Sequence, residues 1–156
     1  MARLLGAFVL ALLVGATVGS ASVVAAASQP QGERGLVAAV VRDYFEGWYT
    51  GDADRVSRAL HPDMVKRYVE ALPSGRQVVQ SATRDLMIEM TRAGGGSKTP
   101  PERRNIVVDV LEVSGDIAIA RASSFQYLEY LSLARCNGQW TIINILWRFQ
   151  TPPAPR

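Results

Sequence analysis

Leu36, Val37, Val40, Val41, Tyr44, Phe45 and Trp48 recur at three- and four-residue intervals, which predicts one long helix with a broad apolar face. Gly51 supplies a stop for that helix and Asp52 an N-cap for a second, spanning about Ala53 to Leu60. Pro62 ends the second helix, because the residue before a proline avoids the α region. Met64 to Leu72 fits neither helical nor strand periodicity cleanly, and Pro73-Ser74-Gly75 reads as a turn. Ser81 to Ala93 predicts a third helix with Ala82, Leu86, Met87 and Met90 toward the core, followed by a loop from Gly94 to Pro101.

The final third alternates with period two. A strand from Ile106 turns at Ser114-Gly115-Asp116, and three more follow: Ile117 to Gln126, Tyr127 to Arg135 and Gln139 to Phe149. Asn137-Gly138 is a strong hairpin signal. In the last strand, alternation puts Thr141, Ile143, Ile145, Trp147 and Phe149 on one face and Trp140, Ile142, Asn144, Leu146 and Arg148 on the other. Both faces are largely apolar, so one is expected under helices and the other against a partner subunit. Helices followed by an antiparallel meander define a segregated α+β fold, with three N-terminal helices and then an antiparallel sheet.

The apolar stripe has a different meaning at the N-terminus. Arg3, the uncharged stretch Leu4 to Val18 and Ala25-Ala26-Ala27 form the three parts of an export signal. The expected organisation is a signal peptide over 1–27, a polar leader over 28–35, one domain over 36–150 and a frayed tail over 151–156. The mature protein is then periplasmic or extracellular, without a membrane segment. Losing Arg3 lowers the net charge from +3 to +2, too little for a nucleic-acid-binding face. Cys136 is the only cysteine, so no intrachain disulfide forms; it is read as a half-buried residue at a strand end.

Three segments carry a resemblance. Tyr44-Phe45-Glu46-Gly47-Trp48-Tyr49-Thr50-Gly51-Asp52, Ala59-Leu60-His61-Pro62-Asp63, and Tyr130 to Leu133 running on through Gly138 to Asn144 resemble the putative lumazine-binding family of the nuclear transport factor 2-like superfamily. The resemblance spans about Leu36 to Phe149 and implies a cone of helices and curved sheet, commonly dimeric through the sheet. The superfamily holds isomerases, dehydratases, cyclases and non-catalytic carriers, so fold alone does not choose among them.

Against the steroid isomerase branch, the resemblance places Tyr44 at the oxyanion-hole tyrosine and Glu129 near its acid partner. The catalytic base falls at about Arg67-Tyr68, where no carboxylate stands. His61 is the only histidine, which excludes a multi-histidine metal site; it is either a lone acid–base group or a helix-end cap. Asp63 is either a base oriented by His61 or a local cap. The run Gly94-Gly95-Gly96-Ser97-Lys98-Thr99 lacks phosphate-loop spacing and follows a helix, so it reads as a solvated basic loop or a lid.

Tyr44, Trp48, Tyr68 and Glu129 are the expected ligand-binding residues, around a small apolar or aromatic ligand, with no cofactor and no metal. Three functions remain open. The first is an exported, homodimeric carrier-like domain. The second is a cofactor-free enzyme using Tyr44 with His61 or Asp63. The third is an interaction module presenting Trp140, Ile142 and Leu146.

Overall fold

A computed structural model describes residues 21–150. The segment Leu4 to Val18 read as an export signal lies outside the described residues, as does the tail from Thr151. The elements run α1 (Ala21–Thr50), α2 (Ala53–Ala59), β1 (Leu60–Ala71), β2 (Gln77–Thr83), α3 (Arg84–Arg92), β3 (Val107–Ser114), β4 (Ile117–Ser123), β5 (Tyr127–Cys136) and β6 (Gln139–Phe149). The fold is α+β: three helices and a six-stranded sheet in the order β2-β1-β6-β5-β4-β3.

Two features differ from the expected meander. The sheet is mixed, because β1 pairs with β6 in parallel while the other neighbours are antiparallel. The third helix follows the β1–β2 hairpin instead of preceding every strand.

Helix α1 buries Val37, Val41, Tyr44, Phe45 and Tyr49 on one face and packs across β3, β4 and β6. Its end is closed by Gly51 at φ +75°, where the Asp52 N–H donates to the Gly47 carbonyl at 2.9 Å in the six-to-one pattern of a Schellman stop. Asp52 then caps α2 by accepting from the Arg55 N–H at 2.9 Å. Gly47 has its own role, since a Cβ there would lie 2.8 Å from Val56 Cγ2; its absence lets α2 sit close against α1.

The helix begins well before Leu36, and the stretch read as a polar leader includes an anchor. Glu33 accepts from Trp140 Nε1 at 2.7 Å and from Arg135 Nη1 at 2.8 Å, tying α1 to β5 and β6. Trp140 and Ile142 are therefore buried beneath the helix, whereas Leu146 faces out, so they do not form one interaction surface. The cause is a bulge. Ser132 pairs with Asn144 and Leu133 with Ile142, which leaves Ile143 as an extra residue in β6. Past it the phase inverts: Trp140 and Ile142 lie inward before the bulge, and Ile145 and Trp147 lie inward after it.

Cys136 is exposed at the end of β5, not half-buried. The Asn137-Gly138 turn forms as expected, with both residues at positive φ (52° and 78°).

Candidate functional site

Strand β1 alternates, with Met64, Lys66 and Tyr68 directed toward the helices and Arg67 and Val69 toward solvent. Strand β5 does the same with Tyr127, Glu129 and Leu131, and β6 contributes Ile145 and Trp147. Lys66 lies beside Ile145 in the parallel register and Glu129 beside Trp147 in the antiparallel one, so the two charged side chains flank β6 on its covered face. Tyr44 reaches the same point from α1.

The three groups are hydrogen-bonded. Lys66 Nζ donates to Tyr44 Oη at 2.7 Å and to Glu129 Oε1 at 2.5 Å, and all three residues are buried. Burial lowers the Lys66 ammonium below its ordinary range, and the Glu129 carboxylate beside it opposes that shift. Burial, reinforced by the Glu129 charge, pushes the Tyr44 phenol well above its ordinary value, so it stays protonated. Glu129 Oε2 has no hydrogen-bond partner among the described residues. The amine also lies over rings, 4.9 Å from the centre of Trp147, 5.4 Å from Tyr44 and 5.5 Å from Tyr127.

Lys66 forms the charged floor of a pocket of about 520 Å³. One wall is aromatic: Trp48, Tyr68, Tyr127, Trp147 and Phe149. Trp147 is its hub, with ring centres 4.8 Å from Tyr68, 4.9 Å from Phe149 and 5.5 Å from Tyr127. Helix α3 faces that wall with Leu86, Met87 and Met90, and β2 adds Gln80, Ser81 and Ala82. Met87 is buried, while Leu86 and Met90, expected in the core, stay half open because they line this space. Ala82 belongs to β2, since the third helix starts only at Arg84, capped by the Thr83 hydroxyl.

Of the residues expected at a site, Trp48 and Tyr68 line the pocket, and Tyr44 and Glu129 lie beneath its floor, joined to it through Lys66. His61 and Asp63 do not join them. They stand at the start of β1, where His61 Nδ1 accepts from the Asp63 N–H at 3.1 Å and the Asp63 side chain is 92% exposed. Neither lines the pocket, and neither is hydrogen-bonded to Tyr44.

The glycine run is spent on structure. Gly94 at φ +113° ends α3, with its N–H on the Thr91 carbonyl and the Gly95 N–H on Met90, a second Schellman stop. The Gly96 N–H donates to the Trp48 carbonyl at 3.1 Å, and Gly95 and Gly96 press on the Trp48 side chain. With those amides occupied, the run is neither an anion cradle nor a free lid; it clamps the end of α1.

Lys66 and Phe149 went unnoticed in the sequence as candidate site residues, and Tyr127 and Trp147 counted only among aromatics of which one or two were expected at the cavity mouth. The signal available for Lys66 is its place between Met64 and Tyr68, legible only once the segment is known to be a strand.

A family model described as putative lumazine-binding matches residues 32–148. No curated protein matches the chain. Among solved structures, an NTF2-like protein of unknown function from Shewanella baltica OS155 superposes with a TM-score of 0.62 at 13% identity, covering 78% of this chain and 96% of its own. An NTF-2 like protein of unknown function from Silicibacter pomeroyi DSS-3 gives 0.59 at 17% identity, with 77% and 98% covered. A ketosteroid isomerase-like protein from Erwinia carotovora atroseptica gives 0.51 at 16% identity, with 77% and 98% covered. At these identities the likeness establishes the fold alone.

Proposed function

The chain belongs to the putative lumazine-binding family, and from that premise we propose that it is an exported, carrier-like domain holding a flat, partly apolar small molecule in the pocket above Lys66. The observation that carries this reading is the pocket itself. Its volume of about 520 Å³ suits a small organic ligand, and its walls are rings and thioethers around a few polar groups. The family's name is that of a bicyclic heteroaromatic, the class of molecule that stacks on rings such as Trp147 and Tyr68. Export rests on Arg3, Leu4 to Val18 and the Ala25–Ala27 site. A homodimer through the outer sheet face accompanies the proposal.

The test is native mass spectrometry of the protein purified gently from its own host. One retained molecule per subunit is expected. Protein that arrives empty, and whose tryptophan fluorescence is unmoved by lumazine or by simple flat aromatics, overturns the proposal.

One observation favours a second reading. The hydrogen-bonded set of Tyr44, Lys66 and Glu129 beneath the floor offers proton donors and an acceptor to a cofactor-free isomerase, dehydratase or cyclase. In that reading Lys66 and Glu129 take the place of His61 and Asp63, and the bound molecule would be recovered chemically changed.

A further inference from the structure

The Lys66 ammonium carries three protons. Tyr44 Oη takes one and Glu129 Oε1 another, and no third protein acceptor is within reach among the described residues. The amine lies over the rings of Tyr127 and Trp147, both of which line the pocket, as does Lys66 itself. A proton donor so placed at the floor of a mostly apolar space is satisfied by an acceptor on whatever fills it.

The charges around it restrict what that acceptor can be. Among the described residues Lys66 is the only charged one in the pocket lining, and Glu129 at 2.5 Å already neutralises it. At the β2 side the carboxylate of Glu70 accepts from Gln80, a lining residue, at 2.8 Å. An anionic ligand would bring a second negative charge against Glu129 with no unpaired cation to receive it, in a setting where water screens little. A neutral carbonyl oxygen or ring nitrogen adds no such charge and accepts the free proton.

We infer that the ligand is an uncharged planar molecule whose edge carries one hydrogen-bond acceptor, a carbonyl oxygen or a ring nitrogen, seated on Lys66 with its ring against Trp147. This rests on the pocket being the binding site and adds the chemistry the site selects.

Three probes of similar size separate the possibilities: acetylnaphthalene, ethylnaphthalene and naphthoate, titrated against the protein at neutral pH by calorimetry. The ketone is expected to bind about tenfold tighter than the ethyl compound, the difference a hydrogen bond from a charged donor makes. Naphthoate is expected to bind more weakly than the ketone. Replacing Lys66 alone would leave Glu129 buried and unpaired, so the variant is the double substitution Lys66→Met with Glu129→Gln. In it the ketone should lose its advantage while ethylnaphthalene still binds.

Equal binding of ketone and ethyl compound overturns the inference and leaves the pocket reading standing. Naphthoate as the tightest ligand overturns the neutrality argument and makes Lys66 an anion receptor. Failure of all three to bind overturns the inference and the pocket reading together.

Discussion

Tyr44, Tyr49 and Tyr127 all keep their phenol protons above the ordinary value of 10.0, with burial the leading cause in each. The unfolded chain releases these protons near pH 10, and the folded chain releases them later. Folding therefore takes up protons in that range, and stability falls as pH rises through about 10 and beyond. Lys66 acts in the opposite sense, because its ammonium, lowered from 10.5 by burial, holds a proton less firmly in the folded state. The two effects occupy different ranges: Lys66 adds stability as pH rises toward 10.5, and the phenols remove it above about 10. Above about pH 10.5 Lys66 no longer opposes the phenols, so denaturant midpoints measured from about pH 10.5 to about pH 12 should decline; a flat or rising series would contradict the assigned burial of the phenols. At this scale the sequence showed part of the site. Of the candidate residues, Tyr44 and Trp48 stood out on an aromatic helix face, Tyr68 only as one more ring, and Glu129 only through the family resemblance. Lys66 was not legible, because what makes it a floor residue is a partner 63 positions away on another strand.

Two glycines test the helices from opposite sides. Gly35 lies in the interior of α1 with nothing within 4 Å of where a Cβ would stand. Gly35→Ala should raise stability by about 0.5–1 kcal/mol, from helix propensity alone. Gly96 has Trp48 Nε1 and Tyr49 Cδ1 each 2.7 Å from that position. Gly96→Ala should lower stability by about 1–3 kcal/mol through overpacking, read as a lower denaturant midpoint with unchanged slope. The elements were unevenly readable for a related reason. Helix α1, both Gly stops and the Asn137-Gly138 hairpin declare themselves through local chemistry. Strand β1 does not, since its pairing with β6 slips between Leu60 and Val65 and only then settles into register. Strand β2 is short and mostly exposed, so Gln77 to Thr83 offers little hydrophobic contrast to read. The bulge at Ile143 leaves no mark on composition, yet it decides which face every residue of β6 before and after it occupies.

Across the whole molecule, one sheet face is covered by helices and the other presents Val69, Ile119, Tyr130 and Leu146, with Leu146 52% exposed and Tyr130 47% exposed. An apolar face of that kind suits burial against a second copy. Sedimentation analysis is expected to give a dimer, and the paired change Tyr130→Glu with Leu146→Glu a monomer that still binds ligand. A monomeric wild-type protein would remove this assembly from the proposal. Strand order carries a consequence of a different kind. The last of the described strands in chain order, β6, occupies the middle of the sheet between β1 and β5. As the chain emerges from the ribosome, the β1–β2 hairpin and the β3–β4–β5 meander therefore have no shared edge on which to join. Only Gln139–Phe149 unites them, which holds the sheet open until that strand has emerged. Under the proposed export, such late closure would leave the two halves of the sheet unjoined, and so easier to thread through a channel, until β6 has been made.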